Sequence, residues 1–361
     1  MRGTGGGVNL PALRSHNTAL VLDLLRTAGT EGISRLELAE RTGLTPQAVS
    51  KITARLRQDG LAADAGRRAS TGGKPRTVLR LVPEAGHAAG VHLDRDEVRA
   101  VLVDLRGSVV AERRTALDLG AGAEAVLAAV ARAVRDAAEG PAGTLLGAGV
   151  ALPGPLDHTR GVLHRVTGFP EWDGFPLRQA LAERLAMPVV VDKDTNAAAL
   201  ALAAGGEAGS FAYLHLGTGL GAGLVLGGAV HRGARTGAGE FGHQVIQLDG
   251  PPCTCGQRGC VEALCLAAVE RGDPAEAARV LGTAAANLVG LLDIDGVLLG
   301  GRTVAAAPEA FVRGVGAVLT ARSRRTGQDE IPVRTAPGGD RIVAAGAAQL
   351  VLGPVFGRGG G

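Results

Sequence analysis

The apolar positions of this chain change period near residue 85: before it they recur with helical spacing, and after it strand-like runs alternate with amphipathic helices. In NTALVLDLLRTAG (17–29), Leu20, Val21, Leu24 and Leu25 share one face and Gly29 offers a left-handed C-cap, which predicts a helix. Ser34 with Glu37 forms a capping box opening a short helix that closes at Gly43. Thr45 caps a third helix in LTPQAVSKITARLRQDGL (44–61), with Pro46 in its first turn. Ala39, Leu44, Val49, Ile52 and Leu56 turn inward, so the pair reads as a helix-turn-helix. The stretch 60–81 then reads as a two-stranded wing with a basic, glycine-rich tip carrying Arg67, Arg68, Lys74 and Arg76.

The longer remainder has a different rhythm. GVHLDRDEVRAVLVDLRGSVVAERRTAL (90–117) alternates apolar and polar residues over successive strands, with a hairpin signal at Arg106-Gly107. An Ala-rich amphipathic helix (about 123–139) leads to a buried strand within 145–156, and a helix over 177–186 leads to MPVVVDKDTNAAALAL (187–202). Residues 211–243 hold two glycine-rich strands around GTGLGAG and then an irregular loop. Strands alternating with helices imply an α/β body.

Charge sharpens this division. Residues 1–83 carry 13 Lys/Arg against 6 Asp/Glu, the remainder 25 against 29. A small basic part on a mildly acidic body fits a nucleic-acid-binding module, and the recognition helix would enter the DNA major groove. Gln47, Ser50, Lys51 and Arg55 are then expected to meet bases or phosphates, Gln47 foremost as a base reader, with Thr45 and Pro46 beside the backbone at the positive helix end. The wing-tip residues Arg67, Arg68, Lys74 and Arg76 are expected to reach phosphates or an A·T-rich minor groove. The competing reading is a three-helix protein-interaction or dimerisation module. At 361 residues, two or three domains are expected. Few cysteines, no signal-peptide apolar region and no apolar run of about twenty residues fit a cytoplasmic protein without membrane contact.

The most specific chemistry lies between two carboxylates, Glu240 and Glu262. His243 and the run CTCGQRGC (253–260) set one imidazole and the thiols of Cys253, Cys255 and Cys260 at metal-ligand spacing, with Gly256 and Gly259 permitting the turns. A four-coordinate Zn2+ is expected there. Four protein ligands leave no open position, so the zinc is structural: it fixes the loop that carries its neighbours. Cys265, in an apolar stretch, reads as a core residue.

The series ALPGPL, VVVDKDTNAAAL, LGTGLGAG, AGEFGH, CTCGQRGCVE, LLGG and AAGAAQLVLG resembles, in order and over nearly the whole chain, the ROK family of sugar kinases and sugar-responsive repressors. With the helix-turn-helix ahead of it, the chain resembles the NagC/XylR-type repressor branch. The resemblance implies a winged helix-turn-helix over 1–83 and a two-lobed, actin-like (ribonuclease H-like) α/β body over 84–361, its zinc loop at 243–260, with a sugar held between the lobes. It implies sugar or effector contacts at Gly154, Asp194, Glu240, His243 and Glu262, with His243 serving metal and pocket through its two ring nitrogens. Where ROK kinases carry a DxGGT phosphate turn, this chain reads Asp94-Arg95-Asp96-Glu97, without glycines and with added negative charge, which argues against ATP use and against catalysis.

Lys193 stands where the family usually has a sugar-binding Asn. A lysine donates without accepting, so three readings stay open: an anionic ligand such as a sugar phosphate or acid, neutralisation of Asp194, or loss of the effector. Function follows from the same resemblance: a homodimeric repressor that binds an operator in double-stranded DNA and responds to a sugar or sugar derivative. The rivals are a ligand-blind DNA-binding factor and an ATP-dependent sugar kinase carrying a DNA-binding arm.

Overall fold

A computed structural model describes residues 16–70, 73–164, 166 and 169–358, without the side chains of 69–70 and 73–75. Three helices, α1 (His16–Ala28), α2 (Arg35–Thr42) and α3 (Pro46–Gln58), pack with a sheet ordered β1-β3-β2 from β1 (Ile33–Ser34), β2 (Ala62–Ser70) and β3 (Gly73–Leu81). The local signals act as read. Ser34 Oγ accepts from the Glu37 N–H at 3.2 Å while Glu37 Oε2 accepts from the Ser34 N–H at 2.8 Å, and Thr45 Oγ1 accepts from the Ala48 N–H at 3.2 Å. Gly43 ends α2 in the left-handed conformation.

The body follows without a linker. Its first lobe holds β4 (Gly86–Leu93), β5 (Glu97–Asp104), β6 (Val109–Ala116), α4 (Ala123–Ala138), β7 (Thr144–Leu152), the small pair β8 (Leu156–Asp157) and β9 (Val162–Leu163), α5 (Leu177–Leu185) and β10 (Val189–Lys193). Its sheet runs β10-β7-β4-β5-β6, with antiparallel pairing among β4, β5 and β6 and parallel pairing of β4, β7 and β10. The second lobe follows α6 (Asp194–Ala204) and repeats the plan. It comprises β11 (Phe211–Leu216), β12 (Leu220–Leu226), β13 (Ala229–Val230), α7 (Val261–Glu270), α8 (Pro274–Leu292), β14 (Gly296–Gly300), α9 (Arg302–Ala306), α10 (Pro308–Thr326) and β15 (Val333–Thr335). Its order is β13-β12-β11-β14-β15, again antiparallel on one side and parallel on the other. The last helix, α11 (Ile342–Leu352), returns to the first lobe.

The strands of 90–117 depart from simple alternation: β4 is buried along its whole length and β5 nearly so. Both faces of this sheet are covered. Ala89, Val91, Val98 and Ala100 face α4, whereas Ala88, Val101 and Val103 face α11 and the helix-turn-helix. The winged helix-turn-helix head therefore shares a core with the first lobe. Val21, Leu22 and Leu25 of α1 belong to one apolar cluster with Leu105, Leu352, Val355 and Phe356. The Arg26 guanidinium stacks 4.8 Å over the Phe356 ring, and Arg358 meets Asp23 at 3.1 Å. A head so attached moves with its lobe.

Helix α11 lies against the sheet with no room for side chains between. A Cβ on Gly149 would stand 1.8 Å from Ala347 O and one on Gly90 2.0 Å from Ala344 O. Gly149→Ala should therefore force the helix off the sheet and cost about 1–3 kcal/mol or more. Gly316→Ala, mid-helix in α10 with open space at its Cβ, should be neutral or stabilising by about 0.5–1 kcal/mol. Denaturant unfolding of the two variants checks the contrast.

Candidate effector cleft, metal cluster and DNA-reading helix

On α3 the expected contacts share one surface. Thr45, Pro46, Gln47, Ser50, Lys51 and Arg55 are exposed, while Val49, Thr53 and Leu56 are buried. Arg67 and Arg76 are exposed on the wing, and the Lys74 side chain lies outside the described residues. Arg68 is used differently. It donates to Glu37 at 3.1 Å and to the carbonyls of Glu31 and Gly32 at 3.2 and 3.1 Å, bracing the outer part of the wing against α2 and the turn before it.

Between the lobes, a cleft gathers Gly154, Lys193, Asp194, Glu240, His243 and Glu262 around one cavity of about 80 Å³. Asp194 opens α6 at the end of β10, where one carboxylate oxygen accepts from the Thr195 N–H at 2.6 Å. Glu262, buried at the start of α7, accepts from the Leu220 N–H at 2.7 Å and so fixes the 217–220 turn. Lys193 does not neutralise Asp194. Its stem runs under Gly154, whose Cβ would meet the lysine Cδ at 3.2 Å, and its ammonium donates to Glu240 Oε1 at 2.7 Å and Ala238 O at 2.8 Å. At 4% side-chain exposure this lysine is committed to Glu240 Oε1.

The sequence reading missed the groups that surround these. Asp192 is a node: it accepts from the Lys193 N–H (2.7 Å), Asn196 Nδ2 (2.9 Å) and Arg232 Nε (2.7 Å), and its ion pair with Arg232 is 1% and 6% exposed. Arg302, at the start of α9, reaches across the cleft to the β4–β5 turn, donating to Asp94 Oδ2 at 2.6 Å and to both Asp96 oxygens at 2.6 and 2.7 Å. The Arg302 hydrogen bonds hold the Asp96 carboxyl below its ordinary pKa. Burial pushes the His92 imidazole below its usual value, and its Nε2 has no hydrogen-bond partner among the described residues. The charged partners are distant in the chain: Arg232 lies 40 positions from Asp192, and Arg302 lies 208 and 206 positions from Asp94 and Asp96, which the sequence marks only as a changed turn.

The four proposed metal ligands do converge. His243 Nδ1, and the sulfurs of Cys253, Cys255 and Cys260, all lie within 4.8 Å of one another. Cys253 Sγ is 3.6 Å from His243 Nδ1 and Cys255 Sγ 3.7 Å from Cys260 Sγ; a tetrahedron with bonds of about 2.3 Å has edges of about 3.7 Å. The left-handed Gly256 and Gly259 turn the loop; a Cβ on Gly259 would stand 1.6 Å from Gln247 O. Burial and the neighbouring thiols push the Cys260 thiol up to about 12, so a cation binding here must displace its proton. Cys265 is buried and its sulfur points to Ala277 O, outside the cluster.

Comparison with known proteins agrees with this architecture. A ROK family model matches residues 88–271 and a winged helix-turn-helix DNA-binding model residues 21–62. The chain belongs to the ROK family. It is 32% identical over 275 residues to the DNA-binding transcriptional dual regulator NagC of Escherichia coli, covering 73% of this chain and 66% of that one. It is 30% identical over 261 residues to the xylose repressor of Caldicellulosiruptor bescii, covering 70% of this chain and 64% of the relative's length. Among solved structures, a ROK family transcriptional regulator described as a homolog of the E. coli MLC protein superposes over 95% of this chain and 98% of its own, with TM-score 0.76 at 20% identity. A ROK hexokinase from Thermus thermophilus covers 73% of this chain and 96% of its own, with TM-score 0.59 at 31% identity. The winged head on a two-lobed ROK body is thus the fold of this chain. Among the described residues no helix is long and apolar enough to cross a membrane.

Asp192→Asn should leave Arg232 facing a neutral amide in a buried site and destabilise the body by roughly 3–5 kcal/mol. Glu240→Gln leaves the buried Lys193 ammonium with neutral acceptors only, the amide and Ala238 O, but at a side chain 43% exposed, and should cost less, about 1.5–3 kcal/mol. Equilibrium unfolding of the two variants measures the difference.

Proposed function

We propose that this chain is a DNA-binding transcription regulator, a repressor, whose operator affinity responds to a sugar or sugar derivative held between the lobes. The observation that carries the reading is a pairing: an exposed recognition face on α3 sharing a core with the first lobe, and a cleft that keeps carboxylates for hydroxyl binding but fills the phosphate turn with Asp94 and Asp96. Acidic side chains repel a polyphosphate, so phosphoryl transfer lacks a positioning element and the protein acts by binding alone. In this reading residues 1–83 read DNA and 84–361 form the effector-binding body. Gly154, Asp194, Glu240, His243 and Glu262 contact the effector directly, and Lys193 acts by setting the charge and position of Glu240.

Zn2+ held by His243, Cys253, Cys255 and Cys260 supplies structural cross-linking of the loop between Glu240 and Glu262 and takes no part in a reaction. His243 Nδ1 faces the thiols and its ring also lines the cleft, so metal and effector share one side chain. A cytoplasmic homodimer on a two-fold operator is the assembly we infer. Because the head rides on the first lobe, a change in lobe arrangement alters the spacing of the two recognition helices. A ligand-blind DNA-binding factor is the second reading, favoured by the committed Lys193 and the small cavity.

Fluorescence-anisotropy titration with DNA from upstream of the coding region, with and without a panel of sugars, sugar phosphates and sugar acids, decides between them. Specific binding altered by one compound supports the regulator, and specific binding indifferent to all of them supports the ligand-blind factor. Gln47→Ala should weaken specific binding by about 1–3 kcal/mol, and Arg55→Ala should lower the salt slope by about one. Cys255→Ser should leave the protein sub-stoichiometric in zinc by elemental analysis and lower its melting temperature; full retention of both would refute the metal assignment.

A further inference from the structure

Three hydrogen bonds of 2.6–2.7 Å join Arg302 of the second lobe to Asp94 and Asp96 of the first. Their placement is built from both sides. On the second lobe, Gly300 and Gly301 bring β14 against β11: a Cβ on Gly300 would stand 2.5 Å from Tyr213 Oη, and one on Gly301, with φ +92°, 2.3 Å from Leu216 O. Arg302 emerges from this turn at the edge of the cleft. On the first lobe, Asp94 is oriented by the Arg95 N–H at 2.8 Å, and Thr218 Oγ1 donates to it across the cleft at 3.3 Å. The turn is thus gripped by two groups of the opposite lobe, one charged and one neutral.

Asp94 lines both the effector cavity and a second small cavity beside it, and Arg302 lines the second. Each is about 80 Å³, against roughly 300–1,000 Å³ for clefts that take small molecules. The lobes must part to admit a ligand. At α6 and α11 they hardly can: a Cβ on Gly346 would stand 1.8 Å from Ala197 O, so the two helices touch backbone to backbone, and the Asp192–Arg232 pair is buried nearby. Contacts at Arg302 are different in kind. Arg302 is 43% and Asp96 56% exposed, while Asp94 is 11% exposed; the Arg302–Asp96 pair is the part that weakens with salt, as buried packing does not. Lys193 to Glu240 and His158 to Thr236 also join the lobes, so opening the cleft breaks the charged grip of Arg302 together with these contacts and leaves the helix crossing intact.

We propose that Arg302, with Asp94 and Asp96, is a clasp that joins the lobes at the mouth of the effector cleft, so that an entering ligand must break it. The clasp sets the effector concentration at which the regulator responds. This rests on the reading of the cleft as an effector site, but the clasp itself is tested without any effector.

Hydrogen–deuterium exchange of the full-length protein, read by mass spectrometry on peptides covering 94–97 and 217–220, compares wild type with Arg302→Gln at low and high salt. We expect the variant to exchange on the order of tenfold faster at both turns at low salt, the loss of charge-assisted bonds at a partly exposed site. Wild type should approach the variant as salt rises, while peptides of α6 and α11 stay unchanged. Asp96→Asn, at an exposed carboxylate, should give a smaller change of the same kind and serves if Arg302→Gln folds poorly. Unchanged protection at both turns in both variants overturns the clasp, as does faster exchange spread equally over α6 and α11, which would mark general destabilisation. Calorimetric titration with D-xylose and with N-acetylglucosamine is run on the same proteins. Tighter binding to Arg302→Gln supports gating, and equal binding to wild type and variant overturns it. Faster exchange with neither sugar bound by either protein leaves the clasp standing and counts against the sugar reading of the cleft.

Discussion

Backbone-to-backbone contact of α11 is the constraint on which the rest of the molecule depends. Gly90, Gly149 and Gly346 strip away the side chains that would separate this helix from β4, β7 and α6, so its position is set to within a fraction of an ångström. The helix is apolar almost all round, as a fully enclosed helix must be. It touches the first lobe along its length and the start of the second through Ala197, and through Leu352 and the following turn with Val355 and Phe356 it reaches the winged helix-turn-helix head. A displacement of α6, which begins at Asp194 in the cleft, therefore has a packed route to α1 and to the recognition helix behind it. Covering β4 and β5 on both faces is the corollary, which is why those strands lack a wet side.

Charge is arranged to a different plan from packing. The cleft carries an excess of carboxylates, and most are already engaged: Glu262 by a backbone N–H, Glu240 by Lys193, Asp94 and Asp96 by Arg302, Asp192 by Arg232. Satisfied carboxylates can stay ionised in a confined space, and each engagement also fixes a piece of backbone. The grouping of His243 with Cys253, Cys255 and Cys260 sits at the edge of this network, between the loop that carries Glu240 and the helix that carries Glu262.

Much of this was legible locally. The capping box at Ser34 and Glu37, the Thr45 cap with Pro46 and the glycine stop at Gly43 each depend on atoms within four residues of one another, so spacing alone identifies them. The Cys253–Cys260 run is legible for the same reason, since its turns are made by its own glycines. Lys193 was recognised as a departure, but its partner was not. Three roles are open from the sequence, and none of them names Glu240; the fold brings it in, 47 positions away, because β10 ends opposite the loop that precedes Cys253. Arg68 was expected to face DNA and instead braces the wing, since its guanidinium finds Glu37 and two carbonyls within reach.

By itself, then, the sequence determined the winged helix-turn-helix, the α/β body with its glycine-rich turns, and the set of side chains able to hold a metal or a hydroxyl-rich ligand. Caps, turns and periodicity are short-range physics, written within a few residues. Only the tertiary structure decided which charges meet. Asp94 and Arg302 are separated by 208 positions and meet at 2.6 Å because two lobes built on the same plan face each other across one crossing of helices. Ion pairing is decided by distance in space, and that distance is set by the glycine-tight packing of α11 and α6, not by anything adjacent to either residue in the chain.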